Sequence, residues 1–244
     1  MKPGITAIRL FLFLLFVPVT TMPAFCQSTA GFSGYFGIPS AELSPDKSLT
    51  IGYHQLNNKY YDGFYHGKYD LDVGYIDLGY LPVMEIGIRI TRPRGFQTDK
   101  KTTWDRMIAL RGLPLKESRY FPAVVVGFQG FYTTAKGKGA SYFNSTYIVL
   151  TKNFHFKKVF RNLGLTAGYG SDIIPANTYQ YIGFFGGVKI TPQHLDFLEL
   201  MMDYDADKWN AGIRVTILKH LILLAGYEGL DAFSGGLSYR FTLP

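Results

Sequence analysis

Trp209-Asn210-Ala211-Gly212-Ile213-Arg214-Val215-Thr216-Ile217 alternates without a break, the apolar Trp209, Ala211, Ile213, Val215 and Ile217 on one side and Asn210, Gly212, Arg214 and Thr216 on the other. A period of two is the signature of a strand whose faces meet different surroundings. The pattern recurs. Met84, Ile86, Ile88 and Ile90 alternate with Glu85, Gly87, Arg89 and Thr91, while Leu198, Leu200, Met202 and Tyr204 oppose Glu199, Asp203 and Asp205. Helical spacing is hard to find over even three turns, and 27 glycines in 244 residues would break most helices.

Working outward, such segments fall near 48–54, 68–80, 84–92, 103–113, 121–132, 141–152, 161–170, 179–191, 195–204, 208–217, 220–228 and 232–242. The expected fold is therefore all-β, an antiparallel transmembrane barrel of about twelve strands after an N-terminal signal peptide, an even number suiting closure. Many segments reach the ~9 to 11 residues that cross a bilayer when tilted, longer than ordinary soluble strands. A soluble β-sandwich also explains period two, but prefers shorter strands and fewer outward aromatics. The segment 68–80 changes its apolar parity near Gly74 to Asp77, leaving its register open. Connections alternate imperfectly between long, as in Gln55 to Gly67, and tight, as in Leu81 to Val83. At the chain end, Ser234-Gly235-Gly236-Leu237-Ser238-Tyr239-Arg240-Phe241 resembles the terminal strand read by the barrel-assembly machinery, through Gly236, Tyr239 and Phe241. Its outward face would be Leu237, Tyr239 and Phe241.

The N-terminus reads as an export signal. Lys2 and Arg9 precede the apolar Leu10 to Val19, and Ala24 stands at minus three of a cut after Cys26. The alternative, a lipoprotein acylated on Cys26, would place bulky Phe25 where processing wants a small residue. The expected division is 1–26 signal peptide, 27–47 a periplasmic segment and 48–244 the barrel. No window approaches the ~18 to 20 apolar residues of a spanning helix. The net charge of +7 is spread without a basic stripe, so nucleic acid is not an expected partner.

Gly34-Tyr35-Phe36-Gly37-Ile38-Pro39-Ser40-Ala41, then Asp46-Lys47-Ser48-Leu49, Tyr80-Leu81-Pro82 and Glu85-Ile86-Gly87-Ile88-Arg89, resemble the YjbH-like outer-membrane proteins of exopolysaccharide biosynthesis. Asp105-Arg106, Phe121 to Gly127, Gly186-Gly187-Val188 and Asp203 to Asp207 continue the similarity in order. The resemblance implies a barrel in the cell outer membrane of a Gram-negative envelope that helps make, modify or export a surface polysaccharide. Its implied partners are outer-membrane lipid, the assembly machinery, the polysaccharide and periplasmic export proteins. Family members are often longer, so this chain resembles one barrel without a companion domain.

No catalytic residue or cofactor is indicated. Barrel phospholipases place His and Ser two apart on one strand, and none of His54, His66, His155, His194 or His220 has Ser two residues later. The histidines are too dispersed for zinc. Lys136-Gly137-Lys138-Gly139 lacks the hydroxyl and helix of a phosphate loop, and Asn144-Ser145-Thr146, a formal glycosylation sequon, lies inside an expected strand. The expected lumen-lining charges are Glu85, Arg89, Arg111, Lys189, Glu199, Asp203, Arg214, Glu228 and Arg240. Both signs are present, so they can pair across the lumen, or else line a sugar-conducting passage. A general porin is the alternative function, and a lipid- or glycan-acting enzyme a third.

Overall fold

A computed structural model describes residues 27–61, 67–95, 104–133, 144–156, 158–176 and 179–244. The expected signal peptide with its cleavage site, His66 and the Lys136 to Gly139 loop all lie outside the described residues. Twelve antiparallel strands close into one barrel. They are β1 (Ser48–Leu56), β2 (Leu71–Tyr80), β3 (Met84–Pro93), β4 (Asp105–Leu115), β5 (Ala123–Thr133), β6 (Ser145–His155), β7 (Phe160–Ser171), β8 (Gly183–Pro192), β9 (Leu198–Tyr204), β10 (Trp209–Ile217), β11 (Leu221–Glu228) and β12 (Ala232–Thr242). Each strand pairs with its chain neighbours, and β1 closes on β12 from Ser48↔Thr242 to Gln55↔Gly235. Closure leaves no unpaired edge, which removes the sandwich alternative and suits a hydrocarbon surround.

One end carries the connections 57–70, 94–104, 134–144, 172–182, 205–208 and 229–231; we call it the loop end. The opposite, turn end carries the connections 81–83, 116–122, 156–159, 193–197 and 218–220. Outward positions are apolar along the middle of the wall, as at Ile51, Ile76, Ile88, Ile148, Leu165, Ile213 and Leu223. Aromatic rings border this band at both ends. Tyr80, Phe154, Phe160, Tyr239 and Phe241 are exposed near the turn end, and Tyr169, Phe184, Trp209, Tyr227 and Phe233 near the loop end. An apolar belt between two aromatic girdles is the surface a bilayer selects.

The uncertain register of 68–80 resolves simply. β2 pairs with β1 and β3 without a bulge, so Leu71, Val73, Tyr75 and Asp77 all face inward. What changes along β2 is the company that face keeps: Leu71 and Val73 pack against Leu56 and Tyr61, whereas Asp77 meets polar groups. Residues 27–44 supply those groups. Expected as a separate segment outside the barrel, they instead pass through its interior, and every residue from Gln27 to Ala41 is buried. A segment this rich in aromatic side chains needs an apolar cover, and the barrel wall provides one.

Candidate functional site

The interior segment is a pair of tight turns. Ser28 N donates to Phe32 O at 2.8 Å, Thr29 N to Phe36 O at 2.8 Å and Tyr35 N to Ile38 O at 2.9 Å. Short bridges join Gln27 to Ser33 and Gly34 to Pro39. The backbone thus satisfies part of its own hydrogen bonding and turns its large side chains toward the wall. Tyr35, Phe36 and Ile38 join Val125, Tyr147, Val149, Phe185, Met201 and Leu224 in one apolar cluster. Phe32 packs with Ala30, Met107 and Ala109.

Wall glycines make room for these rings. A Cβ on Gly212 would stand 2.4 Å from the Phe36 ring, one on Gly87 would stand 1.9 Å from the Phe32 ring, and one on Gly164 would stand 2.6 Å from Tyr35 Oη. The rings therefore rest where the wall has no side chain, as knobs in sockets. Gly212 and Gly87 are the same glycines that mark the polar side of their strands in the alternating sequence. Their tolerance there is a packing requirement.

Polar groups tie the segment down at every level. Arg214 donates from Nη1 to Glu199 at 2.6 Å and from Nη2 to Gln27 O and Gly34 O, both at 2.9 Å. Glu85 accepts from Ser33 N and Ser44 N, both at 2.9 Å, and from Arg111 Nη1 at 2.9 Å. Arg111 also donates to Ser40 O. Asp203 accepts from Phe36 N at 3.0 Å and Gly37 N at 3.1 Å, and Arg89 Nη1 donates to Ala30 O at 3.1 Å. Lys189 Nζ lies 2.7 Å from Glu42 and 3.4 Å from Glu199. Arg89, Arg111 and Arg214 meet segment carbonyls, Glu85 and Asp203 meet segment amides, and Lys189 and Glu199 meet opposite charges, so each of these buried charges faces a dipole or charge of the opposite sense.

All nine expected inward charges are buried inside the barrel. Glu85, Arg89, Arg111, Lys189, Asp203 and Arg214 touch the interior segment directly, and Glu199 joins it through Arg214 and Lys189. Glu228 sits at the loop end of β11 beside Tyr61 and Ser234, while Arg240 Nε reaches Thr50 Oγ1 at 3.4 Å. The expected pairing across the lumen is corrected. Glu85 and Arg111 are partners in the β3–β4 ladder and Glu199 and Arg214 in the β9–β10 ladder, so the pairs lie along the wall. The space across the lumen is occupied by residues 27–44.

Sequence reasoning missed Glu42, His54, Asp77, Thr151 and Asn210. His54 Nδ1 lies 3.1 Å from Thr29 O, Asp77 accepts from Gln27 Nε2 at 2.9 Å, and Thr151 Oγ1 accepts from Ala41 N at 2.7 Å. Asn210 Nδ2 braces Asp203 at 3.0 Å. A usable signal was Gly31-Phe32-Ser33-Gly34-Tyr35-Phe36-Gly37, where glycine every third residue separates aromatics and matches no strand. Among the described residues, no group of three or more His, Cys, Asp or Glu converges as metal ligands. In the terminal strand, Tyr239 and Phe241 face outward with ring centroids 4.8 Å apart, and Gly236 lies opposite His54 and Leu224 in the two ladders.

A family model, YjbH, described as exopolysaccharide biosynthesis protein YbjH, matches residues 26–181. The matched stretch includes the whole interior segment and the strands β1 to β7. Among solved structures, a KdgM porin is similar at 9% identity and a TM-score of 0.46, covering 81% of this chain and 99% of that one. No curated protein matches the chain.

Proposed function

Because this chain belongs to the YjbH family of exopolysaccharide biosynthesis, we propose that it is an outer-membrane barrel acting as a closed scaffold in surface-polysaccharide assembly or export. It performs no catalytic step of its own in this reading. The observation that carries it is the filling of the lumen by residues 27–44, bound by seven of the nine inward charges directly or through one partner. A general porin needs that space for solute, so the porin alternative is the weaker one. With the lumen closed, the barrel would work through its ends.

The turn end is the better candidate for contact with export proteins. Its connections expose Tyr120, Phe121 and Val159, which are 80%, 63% and 68% accessible. If the longer connections face outward, as in other barrels, these residues face the periplasm. The test is a clean gene deletion with complementation. Loss of surface polysaccharide amount or attachment, restored by the wild-type gene, supports the role, and an unchanged polysaccharide overturns it. Planar-bilayer recordings separate scaffold from porin, because sustained conductance by the purified wild-type barrel would remove the closed-scaffold reading.

A further inference from the structure

The loop-end girdle is uneven around the barrel. From β7 to β12 it consists of cross-strand aromatic pairs: Tyr169 with Phe184 at 5.0 Å, Tyr204 with Trp209 at 5.4 Å and Tyr227 with Phe233 at 5.7 Å. From β2 to β4 charge replaces rings. Among the described residues, the outward positions in the loop-end halves of the strands carry charge only at Asp72, Arg92 and Arg106, on three consecutive strands. Arg94 follows directly after β3. Charges facing hydrocarbon are costly, so a cluster at girdle height requires a polar counterpart in the headgroup layer.

The cluster is organised. Arg92 Nε donates to Asp72 at 3.1 Å, Tyr53 Oη donates to the same carboxylate, and the Arg92 guanidinium lies 5.6 Å from the Trp104 ring centroid. Asp72 is 95% covered although it points outward, being screened by these neighbours. With Arg94 and Pro93 they enclose an open cavity of about 310 Å³. A carboxylate that holds Nε leaves the terminal nitrogens of the guanidinium for another acceptor, the fork that suits a phosphate. Two arginines, Arg92 and Arg94, against one aspartate leave the lining cationic.

We propose that this cavity binds the phosphate of an anionic glycolipid in the outer leaflet, with Arg92 and Arg94 on the phosphate and Trp104 and Tyr53 against the adjoining sugar and chain. The assignment rests on the outer-membrane reading above. Position selects lipid over a free glycan: Arg92 occupies an outward strand position, on the bilayer side of the wall and not at the mouth of the barrel.

The test uses the full-length barrel in detergent, with a bis-phosphorylated glucosamine lipid, its dephosphorylated counterpart, inorganic phosphate and an acidic polysaccharide as probes. Native mass spectrometry should show the wild type retaining the phosphorylated lipid at least about tenfold better than the dephosphorylated one, a preference equivalent to one charge-assisted hydrogen bond. Arg92→Gln with Arg94→Gln should abolish the preference, and Lys152→Gln, at the turn end, should leave it intact. Equal retention of both lipids by the wild type overturns the inference, as does retained preference in the double variant. Tighter binding of inorganic phosphate or of the polysaccharide than of the lipid also overturns it. Heat-modifiable mobility and vesicle insertion are scored on the same samples. A chain that does not insert sinks the outer-membrane reading, whereas an inserted chain without preference sinks this site alone.

Discussion

Arg214 holds Glu199 with one terminal nitrogen and three carbonyls, of Gln27, Gly34 and Tyr35, with the other. Arg214→Ala therefore leaves several acceptors buried without their donor, and it should lower barrel stability by about 3 to 5 kcal/mol, the cost of breaking a buried pair. The heat-modification midpoint in detergent reads this directly, and limited proteolysis should cut within residues 27–44 sooner. Arg214→Lys should rescue poorly, because an ammonium cannot span a carboxylate and several carbonyls in one plane. At the socket, Gly212→Val drives a side chain into Phe36 and should cost about 1 to 3 kcal/mol by overpacking. Adding Phe36→Ala should return part of that loss, and simple additivity of the two changes would refute the socket. Among the loop-end connections, beyond the strands, Lys59 Nζ pairs with Asp231, which also accepts from Tyr60 Oη at 2.8 Å. The hydrogen bond from Lys59 holds the Asp231 carboxyl below its usual range, and the same bond holds the Lys59 ammonium above its own. The contribution of this exposed pair is thus level across neutral pH and disappears in acid, as pH falls through the lowered Asp231 value. It disappears again in strong base as pH rises through the raised Lys59 value. Amide exchange at Asn58 to Tyr60 measured against pH should follow that course, and Asp231→Asn should remove the acid limb.

Strand boundaries were legible because alternation is a local property of the chain. The reading 84–92 meets β3 at Met84–Pro93, and 232–242 coincides with β12 at Ala232–Thr242. Turn chemistry was not legible at the β10–β11 connection. There Leu218 and Lys219 both adopt positive φ, at 50° and 66°, and His220 N donates to Ile217 O at 3.1 Å, a type I′ turn built without asparagine or glycine. Replacing Leu218-Lys219 by Asn-Gly should raise stability by about 1 kcal/mol, since each L-residue in the left-handed region is strained. An unchanged or lowered heat-modification midpoint would show that Leu218, 60% exposed, contributes more through its side chain than the turn strain costs. Removing Tyr239 to Pro244 takes the closing end of β12 from its ladders with β1 and β11, where Tyr239 faces Ile51 and Leu221. That truncation should fail to reach the heat-modifiable state in cells, and normal insertion would mean the terminal strand is not read as an assembly signal.

At the scale of the molecule, barrel and interior segment make one unit: apolar outside, filled inside. Deleting residues 28–44 removes the rings from their sockets and leaves Glu85, Asp203 and Arg214 facing open space. Because water can then solvate those charges, the shortened barrel should still close and should conduct in planar bilayers, where the full chain should not. The residues suited to lining a sugar path would thus do so only once the segment is gone. A shortened barrel that folds and remains non-conducting would place the obstruction elsewhere in the wall.

The architecture was readable from the chain alone, because an inward-polar, outward-apolar period over membrane length is written into each strand and needs no distant partner to be read. Which charges point inward was readable too, since parity follows once a strand is placed. What those charges do follows from the folded arrangement. Glu85 is 52 residues from Ser33, and Arg214 is 187 from Gln27, so no local pattern links them. Residues 27–44 carry neither the period of a strand nor that of a helix, and their place follows from the shape of the closed barrel: a cavity lined with glycine sockets and paired charges that a short aromatic segment fills better than water.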